Sequence, residues 1–175
     1  MKALVVYESM FGNSEAIARS IADGLSEHCD VTVRDVSERP GAPAGMYDVI
    51  VVGGPTHAFS MSTPRSRRDA TLRGGRMGVR LTGMREWITE LKPPHAEVIA
   101  VFDTRVHAVR HLPGSAARAA ARALRAKTGS SLSRPRSFYV EGMTGRLLDG
   151  EIERARAWGQ SLALSAQRAI ERPVR

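Results

Sequence analysis

The sequence contains almost no cysteine and no pattern of metal ligands. Its 175 residues include a single cysteine, Cys29, so an intramolecular disulfide is impossible, and no cysteine–histidine cluster has the spacing of a zinc site. A chain of this length can bury a core without disulfides or metals. We therefore expect one domain over residues 1–171, followed by a short C-terminal tail at 172–175.

Long apolar runs are also missing. No stretch approaches the roughly 20 apolar residues that cross a bilayer. The first residues lead directly into an apolar strand, without the charged segment, apolar core and cleavage site of a secretory signal. These features predict a soluble, cytoplasmic protein without a membrane span.

Two common nucleotide-binding signatures are absent as well. The sequence contains neither G-x-x-x-x-G-K-[ST] nor G-x-G-x-x-G, so the usual motifs of ATP, GTP and NAD sites are missing. A receiver domain would need a phosphorylatable aspartate at the end of its third strand, where this chain has Gly-Gly-Pro. No catalytic nucleophile or acid–base pair stands out, which argues against hydrolysis or group transfer.

Acidic residues are outnumbered by basic ones. The chain has 26 lysines and arginines against 18 acids, a net charge of +8 and a pI near 10.7. Seven arginines stand between Arg65 and Arg85 against one acid, Asp69. This segment is either a solvated basic face or a patch that recruits an acidic protein or an anionic substrate. Nucleic acid is an unlikely partner, because aromatic interleaving, a helix-turn-helix and a zinc pattern are all missing.

The most informative stretch that is present is a strand, a turn and a helix near the N-terminus. An apolar strand ends at Tyr7, and a helix with apolar residues at helical spacing begins at Asn13. Backbone N–H groups and the positive end of the helix dipole therefore converge on one spot that suits a phosphate. The alternative is that Asn13 or Ser14 only caps the helix. The predicted phosphate cradle consists of Ser9, Met10, Phe11, Gly12, Asn13 and Ser14.

A second candidate loop follows the most apolar strand, over residues 47–54. Its continuous apolar run predicts burial on both faces, as in the centre of a parallel sheet. In open α/β sheets, ligands bind beyond the carboxyl ends of the strands at the topological switch point, here between strands 1 and 3. The cradle and this loop should therefore meet at the same mouth. The loop consists of Pro55, Thr56, His57, Ala58 and Phe59.

The remaining pattern alternates strands and helices. We predict strands at 30–36, 97–102 and 137–140, and helices at 64–72, 83–91, 115–127 and from 149, with a mobile basic loop between 72 and 83. The expected fold class is α/β: a three-layer, doubly wound, five-stranded parallel sheet with strand order 2-1-3-4-5.

At the N-terminal turn, the sequence closely resembles the phosphate loop of the flavodoxin-like family. That signature is an apolar strand ending in an aromatic residue, then Ser or Thr, a small residue, and Thr, with Ala and an aliphatic residue further along. Ser14 stands where the family usually has Thr. The uninterrupted fifth strand resembles that of short-chain flavodoxins, and Gly53-Gly54-Pro55-Thr56-His57 resembles flavin-binding members. The residues that fit the first signature are Tyr7, Ser9, Gly12, Ala18 and Ile21.

The resemblance implies an FMN site. The loop from Pro55 to Phe59 would border the isoalloxazine, with Phe59 stacking on the ring and His57 reaching its polar edge. The alternatives are a core position for Phe59 and a solvated one for His57. The loop after the fourth strand would bind the N1–C2=O edge through the N–H groups of Asp103, Thr104 and Arg105, and the Arg105 charge would stabilise reduced, anionic flavin. The chain lacks the second aromatic stacker that family members often carry there.

Two classes of function stay open. The first is an FMN-binding redox protein that exchanges electrons with a partner protein or a small donor or acceptor, either as a carrier or as a small FMN-dependent oxidoreductase. The second is a flavodoxin-like module with weak or no flavin binding, which binds a protein partner through its basic surface. The unusual charge and the missing stacker motivate the second class.

Overall fold

Five parallel strands form a single sheet, as predicted. The computed structural model describes residues 1–42, 45–75, 82–128 and 132–172. The strands are β1 Lys2–Tyr7, β2 Asp30–Asp35, β3 Val49–Pro55, β4 Val98–Val106 and β5 Arg136–Val140. They pair in the order β2-β1-β3-β4-β5, and each neighbouring pair is parallel. The predicted fold class and strand order are therefore confirmed.

Helices cover both faces of this sheet. They are α1 Asn13–Leu25, α2 Pro64–Leu72, α3 Met84–Glu90, α4 Ala116–Thr128 and α5 Glu151–Ile170, with two short 3-10 turns at Val36–Glu38 and His107–Val109. Within the described part of the chain, no helix is both long enough and apolar enough to span a membrane.

The core consists of two apolar layers, one on each face of the sheet. Alternate residues of β3 enter opposite layers, because successive strand side chains point to opposite faces. Val49 and Val51 pack with α1 and α5 in the first layer, whereas Ile50 and Val52 pack with α3 and α4 in the second. This double burial explains the continuous apolar run from which the central strand was predicted.

Helices α1 and α5 pack unusually closely. A Cβ atom on Gly24 would lie 2.0 Å from the carbonyl oxygen of Arg156, and a Cβ atom on Gly159 would lie 2.2 Å from that of Ile21. Two glycines therefore allow the helix backbones to touch.

One strand is longer than predicted. β4 continues to Val106 instead of ending at Phe102. Asp103 and Thr104 pair with β3 on one side and with β5 on the other. Polar residues can continue this strand because their side chains are hydrogen-bonded in the interior. The prediction that a loop begins at Asp103 is therefore corrected.

The basic segment does not form one solvated face. Arg67 is only 4% exposed, and its guanidinium contacts Ser62 Oγ at 2.9 Å and a carboxylate oxygen of Glu86 at 3.1 Å. Arg85 donates to the carbonyl oxygen of Met61 at 3.0 Å. The helices on either side are confirmed, and the loop predicted between them lies largely outside the described residues, together with Arg76 and Arg80.

Candidate functional site

The N-terminal turn places a helix start at the carboxyl end of β1. Gly12 occupies the N-cap of α1 with a φ of 90°, a conformation that glycine adopts without steric strain. Its N–H donates to Ser9 Oγ at 3.1 Å, which closes the turn. The first turn of any helix has N–H groups without partners inside the helix, and here they lie beside the Ser9 hydroxyl. The backbone thus has the strand, turn and helix start on which the cradle prediction rests.

The side chains of Asn13 and Ser14 are bonded to distant segments of the chain and do not cap α1. Because Gly12 is the N-cap, neither Asn13 nor Ser14 has that role. Asn13 Nδ2 donates to the carbonyl oxygen of Gly145 at 2.7 Å. The buried hydroxyls of Ser14 and Thr104 lie 2.7 Å apart. These two bonds hold the cradle against the β5–α5 loop and the end of β4.

The loop after β3 forms a tight, strained turn. His57 and Ser60 exchange two backbone hydrogen bonds of 2.9 Å, and both residues between them, Ala58 and Phe59, have positive φ values of 45° and 62°. Such conformations are unfavourable for residues with a Cβ atom and tend to occur at functional sites. Phe59 is 44% exposed, so it is not a core residue. Its backbone packs against Gly114, where a Cβ atom would meet the Phe59 carbonyl oxygen at 2.7 Å.

Half-buried His57 and buried Arg105 both line the cavity region of this loop. Burial lowers the pKa of His57, and the nearby charge of Arg67 adds to the shift, so the site favours the neutral imidazole. Arg105 is 5% exposed, and its Nη2 donates to the carbonyl oxygens of Val109 at 2.7 Å and Leu112 at 3.3 Å. The Arg105 guanidinium therefore holds the loop after β4 in place.

Asp103 connects the strained loop to α4. Its side chain is fully buried, and its Oδ2 accepts from Thr56 Oγ1 at 3.1 Å and from the Ala117 N–H at 2.9 Å. Thr56 Oγ1 also accepts from the Ala116 N–H at 2.9 Å. A carboxylate at a helix N-terminus is favoured by the helix dipole. The structure thus places Asp103 behind the site, and its neighbour Thr104 faces the site.

A cavity of about 280 Å³ joins these segments. It is lined by Ser9–Ser14 except Gly12, by Pro55–Ala58, and by Thr104 and Arg105. Gly12, Phe59 and Asp103 are the predicted site residues outside its lining.

The cavity also has a wall that the sequence analysis missed. One face of α2, with its two cap residues, lines the cavity. The lining residues there are Thr63, Ser66, Ala70 and Arg73, which lie at helical spacing, and Asp69. The opposite edge consists of Val140, Met143 and Thr144, and Met61 and Val106 complete the lining. The hydroxyl and charged residues at helical spacing in this segment could have indicated a cavity wall. The segment was instead interpreted by its many arginines, as a basic face or patch.

The sequence-based prediction also omitted a buried carboxylate next to the cradle, that of Glu8. Glu8 is fully buried, and its two oxygens accept from Ser62 Oγ at 2.6 Å and from the Met84 N–H at 2.7 Å. Burial raises the pKa of Glu8, whereas these two bonds and the charge of Arg67 oppose the rise. Glu8 thereby attaches the start of the cradle to the segment before α2 and to the first residue of α3.

Solved structures share this architecture. A flavodoxin from the domain Archaea matches with a TM-score of 0.66 and 20% identity, over 95% of this chain and 99% of that chain. Flavodoxin 1 from Bacillus cereus matches with a TM-score of 0.61 and 16% identity, over 96% and 98%. The rubredoxin oxygen:oxidoreductase from Desulfovibrio gigas matches with a TM-score of 0.64 and 14% identity, over 98% of this chain and 37% of that longer one.

The chain therefore has the flavodoxin-like fold, as the resemblance of its N-terminal turn implied. No protein-family model and no curated protein matches its sequence.

Proposed function

We propose that the protein binds FMN and acts in electron transfer. The observation that supports this most directly is the cavity, which is lined both by a helix start with two hydroxyls, Ser9 and Ser14, and by the loop from Pro55 to Ala58. FMN has a matching polarity, with a phosphate at one end and a largely apolar ring at the other. The cavity volume of about 280 Å³ lies near the lower limit for ligand sites.

The residues present fit such a ligand. Ser9, Ser14 and the first-turn N–H groups would hold the phosphate by hydrogen bonds and by the helix dipole. The lining around the 55–58 loop is apolar at Pro55, Ala58 and Met61 and would accept the ring. When bound, FMN would supply the one- or two-electron chemistry, and the protein would supply binding, orientation and electrostatic tuning.

Arg105 would tune the potential. Its buried guanidinium lines the cavity and would favour the negative charge that develops on the ring upon reduction. Among the described lining residues, the other titratable side chains are His57, Asp69 and Arg73. None of these is paired with a nucleophile, which supports a carrier exchanging electrons with a partner protein or a small donor or acceptor.

Titration of the purified protein with FMN tests the proposal. We expect the flavin bands to shift on binding and to remain with the protein through gel filtration, and its melting temperature to rise with FMN concentration. An unchanged melting temperature and loss of all flavin on the column would contradict the proposal. That result would favour the second candidate, a flavodoxin-like module that binds a partner through its basic surface.

Arg73 is expected to make the site selective for FMN over riboflavin. It lines the cavity together with Phe11 and Asn13, and its Nη1 lies 3.8 Å from Met143 Sδ. A guanidinium there would partly neutralise the phosphate. Because Arg73 is exposed, we expect Arg73→Ala to weaken FMN binding only about 5–10-fold and to leave riboflavin binding unchanged.

Arg68 provides the matched control for this measurement. It is exposed on the same helix but does not line the cavity. Arg68→Ala should leave the dissociation constants of both flavins within about twofold of wild type, as for a remote surface charge. Equal weakening of FMN and riboflavin by Arg73→Ala would show that Arg73 supports the cavity and does not contact the phosphate.

A further inference from the structure

The segment of the chain that follows Asp103 contains no acidic residue as far as Val140. Residues 104–140 include eight arginines and lysines and not a single aspartate or glutamate. Some of these cations have local roles. Arg105 is buried, Lys127 donates to the carbonyl oxygens of Thr89 and Leu91, and the Arg136 guanidinium lies over the Trp158 ring. These three cationic side chains therefore interact with carbonyl oxygens or a ring of the protein itself.

Three arginines of α4 differ from these cations because their side chains are exposed to solvent. Arg118, Arg122 and Arg125 are exposed, and within the described ranges none of them forms an ion pair. Their spacing of four and three residues puts them along one side of the helix. The opposite side is buried on the sheet through Ala117, Ala120, Ala121 and Leu124. We call these three arginines the α4 ridge.

The α4 ridge begins next to the loop that lines the cavity. The first N–H groups of α4 are bonded to Thr56 and Asp103, which places the N-terminus of the helix directly behind the loop that lines the cavity. Gly114, just before α4, contacts the backbone of Phe59. Two apolar side chains are exposed beside this junction, Phe59 at 44% and Leu112 at 46%. An apolar centre next to a charged rim is the usual anatomy of a transient protein interface.

We propose that the α4 ridge, together with Phe59 and Leu112, docks an acidic electron-transfer protein against the mouth of the cavity. This inference rests on the proposed function and names its partner class. The charge complementarity is long-ranged and mainly accelerates and orients the encounter. A protein is favoured over nucleic acid because an exposed apolar pair, Phe59 and Leu112, accompanies the charges next to the loop that lines the cavity.

Binding to two cytochromes of opposite charge tests this surface. Cytochrome b5 presents acidic residues around its haem edge, and cytochrome c presents lysines. Binding of each is measured by surface plasmon resonance, with and without FMN, at about 0.02 M and about 0.5 M salt, which changes the screening length severalfold. We expect cytochrome b5 to bind at low salt and to weaken at least about tenfold at high salt, and cytochrome c to bind weakly at either.

A ridge variant and a control of equal charge localise the effect. Arg118→Gln/Arg122→Gln/Arg125→Gln removes the ridge, whereas Arg156→Gln/Arg168→Gln/Arg172→Gln removes three exposed arginines in or just after α5, on the opposite layer. The ridge variant should bind cytochrome b5 about tenfold more weakly, and the control should stay within about twofold of wild type. Equal effects of the two variants, or equal binding of both cytochromes, would overturn the proposal.

Two further measurements separate this inference from the proposed function. In the first, FMN bound to the protein is photoreduced with EDTA as the electron donor. Each electron transferred then oxidises the flavin by one electron and reduces one ferric haem to ferrous haem. The rate of haem reduction should decrease in the ridge variant and not in the control variant. Ridge-dependent binding without any FMN uptake would refute the redox function while retaining the docking surface. Ridge-dependent binding of a short DNA duplex that is tighter than that of cytochrome b5 would overturn the choice of a protein partner.

Discussion

Replacing Ser9 and Ser14 together by alanine is expected to reduce the affinity for FMN by roughly 10²–10⁴-fold. Each hydroxyl would donate a hydrogen bond to a phosphate dianion, and hydrogen bonds to charged groups contribute about 1.5–3 kcal/mol each. With Gly12 capping the helix and no lysine or arginine in the turn, these hydroxyls and the backbone N–H groups are the main phosphate ligands that the cradle offers. The dissociation constant is measured by quenching of flavin fluorescence.

The two serines are held differently, so the single variants should differ. Ser9 Oγ already accepts from the Gly12 N–H, and its own hydrogen is free to turn toward a ligand. Ser14 Oγ pairs with Thr104 Oγ1, and Ser14→Ala would leave that buried threonine hydroxyl without its partner. We therefore expect Ser14→Ala to lower the melting temperature as well as the affinity, and Ser9→Ala to lower mainly the affinity.

Ser20 offers a matched control on the same helix. It is also buried, and its hydroxyl donates to the carbonyl oxygen of Ile152 at 2.7 Å, away from the cradle. Ser20→Ala should cost about 1 kcal/mol of stability without changing the dissociation constant of FMN. If Ser20→Ala weakened FMN binding as much as the double variant, the loss would reflect general destabilisation of α1, and the cradle would not be a phosphate site.

Replacing Gly159 by valine is expected to destabilise the fold by about 3 kcal/mol, because the added side chain overpacks a closed interface. A Cβ atom at this position would lie 2.2 Å from the Ile21 carbonyl oxygen and 3.2 Å from Gly24 Cα. Both neighbours are backbone atoms of α1, which can make room only if the whole helix moves. Such a shift would disturb the packing of Ile21 and Leu162 in the first core layer.

Thermal unfolding measures this effect. A loss of about 3 kcal/mol in a chain of this size corresponds to a decrease in melting temperature of about 6–12 °C. The control is Gly142→Val, since a Cβ atom at Gly142 meets no atom within 4 Å. Its melting temperature should change little. Similar melting temperatures for the Gly159 and Gly142 variants would mean that the contact between α1 and α5 is looser than described.

The order and type of the secondary-structure elements were predictable from the sequence because they depend on local patterns. A continuous apolar run specified β3, helical spacing specified α1, and Pro64 at the first position of α2 marks a helix start. The cradle was also predictable, since its turn, hydroxyls and helix start are consecutive in the chain. The meeting of the cradle with the 55–59 loop followed from the topology of parallel sheets alone.

Local patterns were less informative where a polar residue has a distant partner. β4 was predicted to end at Phe102, because the polar Asp103 looks like the start of a loop. It continues because the Asp103 carboxylate is bonded to Thr56 and to the N-terminus of α4. In the same way, Glu8 and Arg67 have the composition of surface residues but are buried by partners far along the chain.

The sequence by itself therefore determined the doubly wound sheet, the strand, turn and helix start on which the cradle prediction rests, and the excess of positive charge. The tertiary structure alone decided which charges lie at the cavity, which are buried and which remain exposed. It placed Arg73 in the cavity wall and Arg67 in the interior, and it left the three arginines of the α4 ridge exposed on a helix that starts next to the 55–59 loop. The physical reason is that periodicity reports which face of an element is apolar, whereas the environment of a charge depends on groups that only folding brings near it.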